Sequence, residues 1–262
     1  MGVRVGLARS EATAYVDARE IAMARPTIVL VHGAWADGSS WNAVAAALRT
    51  QGHSVLTLPN LLRGPNIDAA YVASCLEQRT SGPVVLVGHS YGGFVVTNAA
   101  KAGGDVRALV YIDAFAPDEG ETAFTILGDS GSALAVPDPT TVLELVGYPG
   151  APEGDLDAFL KPDTVHTAFA QDLPEADRWL IVQSQRPITL SANNTPSGVP
   201  AWKSLPSWTV VGNDDRVIPA ATQRRMAERA GATVTEVDAS HVSMVSQPQA
   251  TIDAVLAAAA SV

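Results

Sequence analysis

The sequence predicts an α/β protein: a mostly parallel, doubly wound sheet with a helical insertion late in the chain. Three observations carry this. Short apolar runs alternate with amphipathic stretches, branched residues gather in the runs, and one proline-rich, acidic segment breaks the rhythm. A chain of 262 residues can bury a sizeable core as one large domain, or as one domain carrying an insertion.

Residues 27–32 (TIVLVH) form an almost wholly apolar, branched run stopped by Gly33, as a strand buried on both faces requires. Helical periodicity follows over 41–48, a break at Gly52, then a strand-like run over 53–58. A second helix covers 67–78. Pro83 opens the apolar run VVLVGH, and a helix from Tyr91 to about Ala102 closes at Gly103 and Gly104. Residues 106–113 (VRALVYID) read as the next strand. The alternation then stops. Residues 117–200 hold 10 of the 17 prolines and only short apolar patches, as a mostly helical insertion with loops would. The rhythm resumes with a strand at 207–211, a helix over 219–230, a strand at 233–237 and a helix over 248–260. The expected division is a core of residues 1–116 and 201–262 with a cap insertion at 117–200; residues 1–25 read as an N-terminal extension of unassigned role.

The formal net charge of −10 argues against a nucleic-acid partner. Residues 115–200 contain 13 acidic against 3 basic residues, so this one segment carries the whole imbalance. No apolar run approaches the roughly 18 residues of a membrane span, and no signal-peptide core is evident, so the expectation is a cytoplasmic protein without a membrane partner. The lone Cys75 excludes an intrachain disulfide and any CxxC metal site, and reads as a small buried residue on a helix.

The stretch VGHSYGG places Ser90 between Gly88 and Gly92 at the seam of a strand and a helix. There a serine is held in a strained turn that exposes its hydroxyl, beside the free N–H groups and positive dipole end of the new helix. A serine hydroxyl needs a base, itself held by a carboxylate. Of five histidines, His53 falls in a strand, His32 and His89 beside tight turns, and His166 in the insertion. His241, in a loop after the last strand, is the base the sequence points to. Asp214 and Asp215 both follow the strand at 207–211, and either could orient His241. In HGAW, residues 32–35, a backbone N–H at a strand end could join that of Tyr91 in stabilising an oxyanion.

With these residues assembled, the chain from Thr27 onward resembles the α/β-hydrolases. HGAWADGSSW, GHSYGG, YIDAFAPDEGE and GNDDRVIP resemble the branch of plant-type methylesterases and hydroxynitrile lyases with their bacterial relatives. The resemblance implies Ser90 as nucleophile and His241 as base. It also implies Asp215 as acid, because G-x-x-D-x-x-x-P fits Gly212, Asp215 and Pro219, and the N–H groups of Ala34 and Tyr91 as oxyanion donors. It further implies that the insertion forms a cap. The lyases place threonine after the first histidine and lysine after the catalytic one; Gly33 and Val242 occupy those positions, which disfavours cyanohydrin cleavage. Ser90 likewise counts against the elbow aspartate of epoxide hydrolases and haloalkane dehalogenases.

The expected function is hydrolysis of small, largely apolar carboxylic esters or lactones, with a small-molecule substrate and no metal or organic cofactor. The sequence leaves oligomeric state open, a homodimer included. The same triad could serve carbon–carbon hydrolysis or perhydrolysis, and a capped pocket without turnover could serve a small-molecule receptor.

Overall fold

The computed structural model describes residues 25–262. The N-terminal extension, Arg25 apart, lies outside the described residues. Branched apolar runs form the strands: β1 Thr27–Val31, β2 Val55–Leu58, β3 Pro83–His89 and β4 Asp105–Ile112. β8 Ser207–Gly212 and β9 Thr233–Val237 follow after the break. These make a six-stranded sheet among the described residues, in the order β2-β1-β3-β4-β8-β9, with every pairing parallel. Neighbours on both sides bury β1 and β3, and Ile28 to Val31 and Val84 to Val87 are wholly inaccessible to solvent. β9 is an edge strand, and its TVTEV is largely exposed.

Helices Asn42–Thr50, Pro65–Arg79, Gly92–Ala99, Ala220–Ala230 and Pro248–Ala260 flank the sheet. Pro248–Ala260 packs with Asn42–Thr50, and Pro65–Arg79 with Gly92–Ala99. Cys75 sits half-buried on Pro65–Arg79. His53 precedes β2 rather than lying in it, because the chain is still turning there and its N–H caps the preceding helix at Leu48 O. None of the described helices is long and apolar enough to cross a membrane.

Residues 117–200 contain short helices, including Ala123–Leu127, Glu175–Ser184 and Leu190–Asn194, and a five-residue π-helix, Val165–Phe169. They also form an antiparallel sheet of β5 Leu143–Val146, β6 Asp157–Leu160 and β7 Ile188–Thr189. Strands of four, four and two residues are too short to show a period in sequence. The small sheet is fastened to the core at consecutive β6 residues: Arg63 pairs with Asp157 at 2.6 Å, and Trp35 Nε1 donates to Ala158 O at 2.8 Å. The N–H of Thr189 in β7 also donates to Leu62 O.

Candidate active site

β3 delivers Ser90 at its carboxyl end, and the helix Gly92–Ala99 begins two residues later. Ser90 has φ +53°, a left-handed conformation that costs a side-chain-bearing residue of the order of 1–3 kcal/mol unless its surroundings enforce it. They do: its N–H donates to Ile112 O of β4, while its carbonyl accepts from Gly93 N and Phe115 N. Close packing fixes the glycines. A Cβ on Gly88 would lie 2.6 Å from Gly92 O, and one on Gly92 would lie 2.7 Å from Val31 O.

The loop after β9 brings His241 against this turn. His241 Nε2 lies 2.7 Å from Ser90 Oγ, and its Nδ1 lies 2.7 Å from Asp215 Oδ2. All three residues are buried. Asp215 is held in turn: Oδ1 accepts from Val217 N and Ile218 N, and Oδ2 also accepts from Gln223 Nε2 at 2.7 Å. With Nδ1–H donating to Asp215, the neutral imidazole presents Nε2 to the serine as a hydrogen-bond acceptor. Asp214 is exposed; its backbone N–H donates to Ala239 O and its carbonyl accepts from Gln171.

The loop after β1 lies directly against the elbow, since a Cβ on Gly33 would come 2.6 Å from Ser90 Cβ. Among the described residues, neither the Ala34 nor the Tyr91 N–H donates to another protein group. The Tyr91 side chain is anchored by its hydroxyl, which donates to buried Asp68 at 2.8 Å. Burial raises Asp68 above its ordinary value, opposed by the N–H groups of Arg63 and Gly64 and by that hydroxyl.

Three buried groups to which the sequence reading gave no role in the site support the base. His89 Nε2 donates to His241 O at 2.8 Å, and burial followed by the neighbouring His241 holds His89 well below the ordinary histidine value. Asp113, at φ +44°, accepts from Gly212 N at 2.8 Å and Ser243 N at 2.9 Å, tying the acid strand to the histidine loop. Burial and the charge of Asp215 raise Asp113 to about 7, opposed by His241 and Ser243. A carboxylate ending the otherwise apolar YID run was the sequence signal for it. Phe169, from the π-helix, packs edge-on against the His241 ring with centroids 5.2 Å apart. His166 lies against Trp179 in the insertion, and His53 stands outside this cluster. His32 Nδ1 donates to Gly33 O, and its Nε2 accepts from Asn60 N. No cluster of three or more histidine, cysteine or carboxylate side chains among the described residues is arranged to hold a metal.

A model of the alpha/beta hydrolase family matches residues 28–254. A carbendazim hydrolyzing esterase from Nocardioides sp. (strain SG-4G) is 41% identical over 111 residues, 38% of this chain and 46% of that protein. The chain therefore spans about half the length of that relative. Methylesterase 2 of Arabidopsis thaliana is 28% identical over 253 residues, 88% of this chain and 95% of that one. Polyneuridine aldehyde esterase superposes with a TM-score of 0.72 at 21% identity, covering 89% of this chain and 98% of the other, which bears on the fold alone.

Proposed function

We propose that this chain, which belongs to the alpha/beta hydrolase family, hydrolyses small, largely apolar carboxylic esters or lactones through an acyl-enzyme on Ser90. The observation that carries this reading is the continuous line from Ser90 Oγ through both ring nitrogens of His241 to Asp215, each gap 2.7 Å. Relatives named as esterases support ester cleavage as the reaction class.

In the first half-reaction His241 Nε2 removes the Ser90 hydroxyl proton as Oγ attacks the carbonyl carbon. The Ala34 and Tyr91 N–H groups hold the resulting oxyanion, an arrangement worth about 10²–10³ in rate per donor in comparable sites. The intermediate collapses, the C–O bond breaks, and imidazolium Nε2 returns the proton to the departing alcohol. Water then enters, His241 Nε2 takes one of its protons as its oxygen bonds to the acyl carbon, and the C–Oγ bond breaks to release the carboxylic acid while Nε2 returns the proton to Ser90 Oγ. Asp215 does not take a proton in this cycle; it fixes the tautomer and stabilises the imidazolium. Residues 117–200 serve as the cap, a role supported by Phe169 on the base, Asp172 accepting from Ser240 N at 3.0 Å and Gln171 donating to Asp214 O at 2.7 Å.

Replacing Ser90→Ala should abolish turnover of activated aryl acetates and labelling by a fluorophosphonate. Labelling of the variant at another residue at the wild-type rate would contradict the assignment.

A further inference from the structure

A recess of about 290 Å³ lies between the loop after β1, the helix Glu175–Ser184 and the chain following His241. Its apolar walls include Trp35, Phe169, Leu173, Ile181, Val242 and Val245. Its charged lining residues are Asp37 and Asp177, with no lysine, arginine or histidine among them. Neither Ser90 nor His241 lines it. It is nevertheless one side chain away from the base: Val242 follows His241, and the Phe169 ring packs on the imidazole at 5.2 Å. Trp35 closes the same wall, edge-on to Phe169 at 6.1 Å.

The two rings are held differently. Trp35 Nε1 is hydrogen-bonded to Ala158 O and its backbone N–H to Arg186 O, so this side is fixed. Phe169 has an apolar side chain and ends a π-helix, an irregular turn often found at functional sites. Its backbone carbonyl accepts from Ser240 Oγ, and its ring stands between the recess and the imidazole. The direction also matters chemically. His241 must protonate the departing alcohol, so the alcohol oxygen belongs beside Nε2 and the rest of the alcohol extends past the imidazole. Of the two arms of an ester, the alcohol is the one that lies by the base, and the Phe169 ring that packs on that base also lines the recess.

We propose that this recess is the subsite for the alcohol arm of the ester, that it accepts a neutral or cationic group about one or two rings in size, and that Phe169 sets its limit. This rests on the reading of Ser90 as nucleophile and adds the substrate class. A volume near the lower end of ligand pockets, about 300–1,000 Å³, suits one arm of a substrate rather than a whole drug-sized molecule. The charge preference follows from the two carboxylates. Burial pushes Asp37 up, but the hydroxyl and N–H of Ser39 outweigh it and hold the carboxyl below its ordinary range; the more distant charge of Arg186 acts the same way. An anionic alcohol would meet this field with no cation lining the recess to offset it.

The test fills the recess from two sides. Ile181→Trp acts from the helix, and Val245→Trp acts from the opposite wall at a position exposed enough (37%) to accept the larger side chain without unfolding the chain. Each should lower kcat/KM for 2-naphthyl acetate about tenfold or more, the scale of pocket-size discrimination. Each should leave ethyl acetate and ethyl 2-naphthoate, whose bulk is on the acyl side, unchanged. Asp177→Asn should narrow the preference for 4-(trimethylammonio)phenyl acetate over 4-carboxyphenyl acetate. Equal losses on alcohol-bulky and acyl-bulky esters, or none on either while fluorophosphonate labelling of Ser90 persists, would overturn the subsite. Failure of the wild-type protein to label at Ser90 would overturn the underlying reading instead.

Discussion

Asp215 and Asp214 are neighbours in sequence with opposite fates: one is buried against His241 Nδ1, and the other faces solvent. Asp215→Asn would present an amide donor where Nδ1 needs an acceptor and turn the imidazole to the wrong tautomer. We expect kcat to fall on the scale of about 10⁴, with Asp214→Asn changing it little; the reverse ranking in steady-state kinetics would move the acid to Asp214. His32 makes a separate prediction about pH. Burial lowers it from 6.5 to about 4, with Gly33 O opposing and the charge of Arg186 assisting. As pH falls through that window the unfolded chain takes the proton first, so this contribution is complete above about 6.5 and is lost towards about 4. Its size is about 3 kcal/mol. Asp113, raised to about 7, works in the opposite sense: the folded chain protonates first, so stability from this group grows as pH falls. Denaturation across pH should therefore show the wild type losing stability relative to His32→Gln on acidification and gaining it relative to Asp113→Asn. Parallel curves would contradict both assignments.

Most of the elements that carry these residues were legible in the sequence because buried parallel strands announce themselves as branched runs such as TIVLV and VVLV. The Ser90 turn was legible through Gly88 and Gly92, whose missing side chains answer to contacts of 2.6 and 2.7 Å with backbone oxygens. What stayed hidden has a physical cause. β5, β6 and β7 are too short to show a period, and Asp113, Asp68 and Phe169 act through contacts between elements distant in sequence. The small sheet has a consequence at this scale. Trp35, next to Ala34, and Tyr91 through Asp68 and the Arg63 loop both connect to consecutive residues of β6. Trp35→Phe leaves Ala158 O without that donor, which costs about 1–3 kcal/mol where no water replaces it. The expected outcome is a lower melting temperature together with a fall in kcat larger than any change in KM. A fall in stability with kcat intact would show that β6 braces the fold without positioning the oxyanion loop.

Across the whole molecule, charge is segregated: residues 115–200 carry 13 acids against 3 bases, while the total is −10. If this segment covers the route to Ser90, carboxylate-bearing esters should react more slowly than neutral esters of matched size, through kcat/KM. The gap should shrink as salt rises, because screening acts over about 8 Å at physiological ionic strength. A gap that does not move with salt would assign the acids to surface solvation alone. The catalytic expectations depend on one chemical event, transfer of the acyl group to Ser90. The most direct measurement is rapid acid quenching during turnover of 4-nitrophenyl acetate, followed by peptide mass spectrometry. The account predicts a burst of nitrophenol stoichiometric with enzyme and one acetyl group on the peptide containing Ser90, absent in Ser90→Ala. Full turnover with no burst and no acyl group on that peptide, or an acyl group on another residue, would contradict it.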